Sequence, residues 1–148
     1  MIGECRYGVH DLSRTELDAE SGLPRFNMPL ELGVFLGAKR YGGPPQRAKR
    51  LLILDTERSR YQRFISDLAG MDIHAHGGDP LRAVRETRNW LANVSRRILP
   101  SADRVVRIYQ DFQAALPQIA RQLEFDPAAI PYVDFERIVT RWLIEPRA

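Results

Sequence analysis

The chain of 148 residues is 44% hydrophobic and 28% charged, which is typical of one soluble globular domain that folds without disulfides. All its apolar runs are shorter than the ~20 residues of a membrane-spanning helix, and its first residues lack a secretory-signal pattern. A single cysteine excludes an internal disulfide, so these features together predict a cytoplasmic protein.

The charge balance argues against a nucleic-acid-binding protein. The chain has 22 basic and 19 acidic residues, which alternate along most of the sequence and leave no continuous stripe for phosphates. Only residues 46–50 (QRAKR) form a dense basic cluster. Nucleic-acid binding by that cluster is therefore the weakest functional hypothesis.

The first half of the chain alternates between predicted strands and helices. Residues 6–12 (RYGVHDL) predict a strand, and residues 13–27 predict a long polar loop of a kind that is often functional. Pro29 suits the first turn of a helix in which Leu30, Val34 and Phe35 recur at helical spacing, and which ends at Gly42.

The alternation continues with the clearest strand of the chain. Residues 50–55 (RLLILD) form a continuous apolar run, which predicts burial on both faces of a sheet. A helix over residues 59–69, a strand over residues 72–76 and a helix that begins at Pro80 follow. This order predicts an α/β fold with a parallel sheet of about three strands.

Beyond residue 100 the pattern is purely helical, with two helices separated by Pro127 and Pro131. The predicted organisation is an α/β domain over residues 1–98 and a helical extension over residues 99–148 that packs on it.

Two carboxylates are the leading candidates for chemistry. Asp11 ends the first strand, where ligands bind in open α/β sheets, and Glu31 in the first turn of the next helix is expected to face the same crevice. A helix N-terminus favours the ionised form that a carboxylate nucleophile needs. The alternatives are structural: Glu31 complements the helix dipole, and Asp11 caps the turn after the strand.

The loop between these carboxylates supplies the candidate substrate contacts. Arg14 and Arg25 lie near its two ends and are able to clamp a phosphate, although such arginines are more often solvated. Asn27 is a helix N-cap or a partner for a sugar hydroxyl. His10 and Ser13 flank Asp11, but no nucleophile elbow surrounds Ser13.

His74 and His76 lie two residues apart in a predicted strand, so both are able to point to one face and bind a metal with a third ligand. Two polar residues at a strand's rim are the more common explanation. We predict no metal site.

Four segments resemble a family of small bacterial proteins related to Toll/interleukin-1 receptor (TIR)-like and nucleoside 2-deoxyribosyltransferase-like proteins. They are RYGVHDLSR, GLPRFNMPLELGVFLGAKR, RLLILD and RYQRFISDLAGMDIHAH, within about residues 2–95. The shared element is an Asp after a central strand followed by a helix that contains Glu-Leu-Gly. The resemblance implies a flavodoxin- or TIR-like three-layer fold.

The resemblance also implies roles for the two carboxylates. In deoxyribosyltransferases the corresponding glutamate attacks the anomeric carbon of the sugar, and in TIR-like enzymes it supports cleavage of NAD at the nicotinamide bond. That role falls on Glu31, and a base- or sugar-contacting role falls on Asp11. The chemistry needs no cofactor, because NAD is a substrate.

The chain departs from that family at its beginning. Proteins of this kind start with a strand, a helix, a second strand and a second helix, and this chain begins near the end of that second helix. Residues 6–12 then form an exposed edge strand, which proteins normally cover or pair. We expect a truncated start or a homo-oligomer that pairs this edge.

Two hypotheses follow. The first is a nucleotide- or nucleoside-binding domain that cleaves or transfers an N-glycosidic bond by means of Glu31. The second is a non-catalytic module for interaction or self-association in signalling or defence, which the missing first half favours.

Overall fold

The computed structural model describes residues 2–19 and 21–144, so the outer ends of both predicted domains, residue 1 and residues 145–148, lie outside the described residues. The chain divides into two compact units, Met1–Leu99 and Pro100–Ala148. No helix within the described residues combines the length and the apolar character needed to cross a bilayer.

The first unit is a mixed α/β structure built on a parallel sheet, which confirms the coarse fold class predicted from the sequence. The strands pair in the order β1-β2-β3, with Val9 opposite Leu52 and Ile53 opposite Ile73. The elements are β1 (Tyr7–Asp11), α1 (Asn27–Tyr41), α2 (Pro44–Arg47), β2 (Arg50–Asp55), β3 (Ile73–Ala75) and α3 (Pro80–Ser95).

The central strand β2 carries the core, as its continuous apolar run predicts. Leu52, Ile53 and Leu54 are each at most 3% exposed, so side chains on both faces of β2 are covered. Ile53 packs in a cluster with Leu12 from the end of β1 and with Leu32 from α1. The core therefore joins the carboxyl end of β1 to the start of α1.

Helices contact both faces of β1, because successive side chains of a strand point in opposite directions. The His10 ring packs edge-on against Phe35 of α1, with 5.3 Å between ring centroids. Tyr7, on the other face, makes an edge contact of 6.1 Å with Trp90 of α3. In the described residues β1 pairs only with β2, so its second edge is open.

Helix α1 differs from its prediction in both its start and its buried face. It begins at Asn27, and Phe26 rather than Asn27 occupies the N-cap position, with no side-chain capping bond. Leu32 and Phe35 form the buried face, whereas Leu30 and Val34 are 67% and 50% exposed. The prediction failed because α1 carries apolar side chains on both sides, so its hydrophobic periodicity does not identify the core-facing side.

The helix predicted over residues 59–69 is also wrong. Two short 3₁₀ turns occupy the segment, Arg60–Arg63 and Ser66–Leu68, and the backbone between them leaves the helical region, with φ of −137° at Phe64 and Ile65. This path buries both Tyr61 and Leu68 in the core cluster. Tertiary packing thus outweighs the propensity of a segment too short to hold a helix by itself.

The second unit contains two helices, α4 (Ala102–Gln122) and α5 (Tyr132–Ile144), which confirms the purely helical prediction. The Ser101 hydroxyl caps α4 by accepting a hydrogen bond from the Arg104 N–H. Phe112 of α4 makes edge contacts with Phe135 and Trp142 of α5. Aromatic packing therefore holds the helical pair together.

We predict that Gly8→Ala destabilises the protein by about 1–3 kcal/mol, the usual range for an overpacked core. A Cβ at this position would lie 2.7 Å from Phe35 Cε2 and 2.9 Å from His10 Nε2, and Phe35 is buried too deeply to move aside. Urea unfolding followed by circular dichroism measures the change in the free energy of unfolding.

Gly33→Ala is the matched control. Gly33 lies in the interior of α1, where an added Cβ meets nothing within 4 Å. Because alanine favours a helix over glycine by up to about 1 kcal/mol, this variant should be neutral or more stable. Equal losses of stability in the two variants would refute the packing explanation.

Candidate functional site

The carboxyl edge of the sheet gathers polar side chains from the ends of all three strands. Asp11 ends β1, Asp55 ends β2, and His76 follows β3 directly. The backbone N–H of His76 donates to the Asp55 carbonyl oxygen over 2.9 Å, which joins the ends of β2 and β3. Ligands of open parallel sheets bind at this edge, so we take it as the candidate site.

Asp55 is the most deeply buried charged residue of this edge, with 0% exposure. Its Oδ1 accepts hydrogen bonds from the Thr56 N–H at 2.7 Å and from Arg60 Nε at 2.8 Å. Its Oδ2 is buried and has no hydrogen-bond partner in the described residues. The ion pair with Arg60, whose side chain is only 12% exposed, compensates the buried charge.

Arg60 connects the end of β2 to the segment that follows β1. Its Nη2 donates to the carbonyl oxygen of Leu12 and, over 3.1 Å, to the Thr15 hydroxyl. One guanidinium therefore spans Asp55 and the start of the long loop, and it fixes the backbone on both sides of Ser13. The planar fork of donors in arginine suits such a bridge.

Asp11 and His76 form a second polar pair at the same edge. Asp11 Oδ1 accepts a hydrogen bond from the Ser13 N–H at 2.9 Å and lies 3.3 Å from His76 Nε2. The His76 side chain is 6% exposed and that of Asp11 is 42% exposed. The carboxylate of Asp11 is therefore held on one side and open to solvent on the other.

Glu31 is exposed on α1, as the fifth residue of the helix rather than in its first turn. Because Glu31 lies beyond the first turn, the dipole of the helix N-terminus acts on it less strongly than expected. No contact joins Glu31 to Asp11 in the described residues. His10 precedes Asp11 in β1, and the charge of Glu31 acts to raise the pKa of the His10 ring.

His10 is 5% exposed, and neither of its ring nitrogens has a hydrogen-bond partner within the described residues. Burial lowers the pKa of His10 below its ordinary value of 6.5, and the nearby Glu31 carboxylate opposes part of that decrease. The ring therefore stays neutral in the folded protein at neutral pH.

The remaining predicted contacts are spread along the long loop. The Ser13 side chain is half-buried beside Asp11, and Arg14 is exposed. Arg25 is exposed and lies 3.8 Å from Asp18 in a surface ion pair, and Asn27 is exposed in the first turn of α1. The structure brings Ser13 to Asp11 and leaves the other three side chains at the surface.

The two histidines weighed as a metal pair take different partners. His74 Nδ1 lies 2.8 Å from Glu86 Oε2 and its Nε2 lies 3.4 Å from Asp72 Oδ2, whereas His76 lies beyond the end of β3 and pairs with Asp11. Among residues 2–19 and 21–144, no group of three or more His, Cys, Asp or Glu residues is arranged to hold a metal ion.

The basic cluster at residues 46–50 is partly internal. Lys49 is 2% exposed, and its ammonium group donates to the carbonyl oxygens of Ile2, Gly3 and Cys5. Arg47 Nε donates to the Gly42 carbonyl oxygen. These two cations bind the protein's own backbone.

Sequence reasoning did not select Asp55 or Arg60 as site residues, and it weighed His76 as a metal ligand but favoured a polar residue at the rim of the strand. The rule that selected Asp11, a polar residue at the carboxyl end of a predicted strand, applies equally to Asp55 and His76. Arg60 had no such signal, because its role depends on the 3₁₀ turn that replaces the predicted helix.

Comparison of the chain with protein-family models, with curated proteins and with solved structures finds no match. The class of protein that the fold defines is therefore a mixed α/β protein with a polar carboxyl edge on a three-stranded parallel sheet.

We predict that Arg60→Met destabilises the protein by about 3–5 kcal/mol, because it leaves the Asp55 carboxylate buried without its counter-ion. Methionine keeps most of the aliphatic stem, so the loss reports the charge. Arg58→Met is the matched control, since its partner Asp72 is 76% exposed and such surface pairs contribute at most about 1 kcal/mol. Urea unfolding measures both, and equal losses would contradict the prediction.

We also predict that His10 makes the protein less stable in mild acid. As pH falls below 6.5, the unfolded chain binds a proton at His10 that the folded chain does not, so the free energy of unfolding decreases until pH reaches the lowered pKa. The slope for one proton is at most about 1.4 kcal/mol per pH unit.

Urea unfolding at pH 7.5 and 5.5 tests this contribution. His10→Leu should lose less stability between the two pH values than the parent protein. Glu31→Gln should lose more, because it removes the charge that raises the pKa of His10. The same pH dependence in all three proteins would exclude His10 as the cause.

Proposed function

We propose that the first unit binds a nucleotide or nucleoside and cleaves or transfers its N-glycosidic bond, with Glu31 as the nucleophilic carboxylate and Asp11 as its helper. The observation that carries the proposal is the polar carboxyl edge of the parallel sheet, where the partly exposed carboxylate of Asp11 ends β1. Glu31 lies on α1, the helix that packs on the same strand through Phe35.

The parallel sheet and its polar edge support the binding part of the proposal. Doubly wound α/β proteins of flavodoxin or TIR type bind nucleotides at the carboxyl ends of their strands, and the resemblance described above suggests that type for this chain. Contact of α1 and α3 with opposite faces of β1 is consistent with such a three-layer arrangement.

The exposure of Glu31 supports its role as the nucleophile. An exposed carboxylate is accessible to a substrate, as attack on an anomeric carbon requires. The proposed step forms a bond between a Glu31 oxygen and that carbon while the C–N bond breaks and its electrons leave with the base. A nucleoside base then takes up a proton from water, whereas the cationic nicotinamide of NAD leaves as neutral nicotinamide and needs none. Water or a second base then displaces Glu31.

Asp11 is suited to hold the sugar or the base. Its carboxylate is open to solvent on one side, and carboxylates accept hydrogen bonds from hydroxyl and amino groups. Ser13, Arg14 and Arg25 lie in the loop after β1, and Asn27 begins α1. In this proposal they contact the substrate, and the exposed arginines meet its phosphate. NAD is a substrate in this proposal, and no cofactor takes part.

The open edge of β1 supports a second candidate function. Backbone groups of an unpaired edge strand are able to pair with another chain, so the same fold is suited to self-association without catalysis. In this alternative a homo-oligomer forms through β1, and any nucleotide is bound without turnover.

Product analysis after incubation with NAD and with a panel of ribo- and deoxyribonucleosides tests the first proposal. The parent protein should release nicotinamide or a free base, and Glu31→Gln should reduce the rate at least about a hundredfold, because an amide is not a nucleophile at the anomeric carbon. Chromatography of the products gives the rates.

Glu136→Gln is the matched control, because it makes the same exchange at an exposed site in the second unit. It should keep the parent rate. Product release that persists in Glu31→Gln would refute the role of Glu31. No product from the parent protein would refute the catalytic proposal and favour the self-association module.

A further inference from the structure

The Asp11 carboxylate is held through only one of its oxygens. Oδ1 accepts from the Ser13 N–H at 2.9 Å and has His76 Nε2 at 3.3 Å, so two donors meet the same atom. No described residue donates to Oδ2, and the side chain is 42% exposed. Oδ2 is therefore the oxygen that is free to meet a ligand.

The turn after β3 determines which nitrogen of His76 faces Asp11 as a donor. The Gly78 N–H donates to His76 Nδ1 at 3.2 Å, so Nδ1 is an acceptor and the proton of the neutral ring lies on Nε2. Gly77 and Gly78 have φ of +65° and +78°, a backbone conformation that favours glycine. This turn directs the Gly78 N–H back to the ring.

Burial keeps that arrangement in place. The His76 side chain is 6% exposed, and the backbone N–H of His76 donates to the Asp55 carbonyl oxygen at 2.9 Å, so the backbone that carries the ring is tied to the central strand. The Nε2–H of His76 thus meets Asp11 from a fixed direction. A carboxylate oriented in advance does not need to be ordered when a ligand binds.

We propose that His76 is a positioning residue: as the neutral Nε2–H tautomer it fixes the Asp11 carboxylate so that Oδ2 accepts a hydrogen bond from a sugar hydroxyl of the substrate. This inference rests on the proposed function, because it assigns the ligand group that Asp11 meets. It predicts that the site discriminates between sugars that carry hydroxyls and sugars that lack them.

Nitrogen-15 NMR of histidine-labelled protein at pH 7.5 tests the tautomer directly. The His76 signals, assigned by their loss in His76→Gln, should show a protonated Nε2 and an unprotonated Nδ1. Asp11→Ala should shift the Nε2 signal, since it removes the acceptor. A protonated Nδ1 in the parent protein, or no shift in Asp11→Ala, would overturn the inference.

Kinetics with a ribonucleoside and its 2′,3′-dideoxy analogue test the positioning role. His76→Leu should lower kcat/KM for the ribonucleoside about tenfold to a hundredfold, the effect of one hydrogen bond to a charged group, and should change the dideoxy analogue little. His76→Gln should retain most of the discrimination, because its amide N–H₂ is able to replace Nε2–H. Equal losses for both substrates would indicate a structural role and overturn the inference.

His74→Leu is the matched control, because His74 contacts Glu86 and Asp72 and not Asp11. His74→Leu should leave the preference for the ribonucleoside over the dideoxy analogue unchanged. If His74→Leu loses this preference as much as His76→Leu does, the assignment to His76 is wrong.

The inference and the proposed function fail in different ways. If the parent protein cleaves neither substrate, calorimetry measures binding of the same pair to the parent, His76→Leu and His76→Gln proteins. If the parent protein binds the ribonucleoside more tightly and His76→Leu loses this preference, the inference holds and only the catalytic part of the proposed function fails. An active enzyme with a protonated Nδ1 at His76 counts against the inference alone, and binding without any preference overturns it.

Discussion

The buried ion pair between Asp55 and Arg60 is the constraint on which the carboxyl edge of this sheet depends. A carboxylate with no exposure at the end of the central strand is stable only when a counter-charge and hydrogen-bond donors surround it. Arg60 supplies that charge, and the remaining donors of the same guanidinium reach the Leu12 carbonyl oxygen and Thr15. The compensation of one buried charge therefore fixes the loop that begins at the end of β1.

The same edge is joined a second time through His76. Its backbone N–H bonds the end of β2, and its ring faces Asp11 at the end of β1. The ends of the three strands are thus cross-linked by groups of different kinds: an ion pair, a backbone hydrogen bond and a carboxylate–imidazole contact. Such a framework holds polar side chains rigidly at the edge while the faces of the sheet remain apolar, which is the usual division between scaffold and site in α/β proteins.

The sequence predicted the elements whose pattern is local and missed those that depend on partners. The run at β2 is buried on both faces because it is apolar throughout, so its place as a covered strand was predictable. In α1 apolar residues lie on both sides of the helix, and only packing against β1 shows that Leu32 and Phe35 face inward. The 3₁₀ turn at Arg60 places its guanidinium against Asp55, a residue outside the segment. Local propensity contains no information on that ion pair and therefore predicts an ordinary helix. In the candidate site, the position of Asp11 was predictable because it ends a predicted strand. Its pairing with His76, 65 residues later in the chain, has no local sequence pattern.

If the proposed function holds, the charges of this edge favour one part of the substrate over another. Asp55 is buried and already engages Arg60, so among the described strand ends it is Asp11 that presents an exposed acceptor, with no unpaired cation beside it. The N-terminus of α3 is closed to anions as well, because the Asp79 carboxylate caps it and Pro80 contributes no N–H. Hydroxyl groups of a sugar are donors that suit such acceptors, whereas a phosphate would be repelled. Under the proposed function, Arg14, which is exposed on the loop after β1, is then the candidate partner for charged groups of the substrate, while the sugar faces the strand ends.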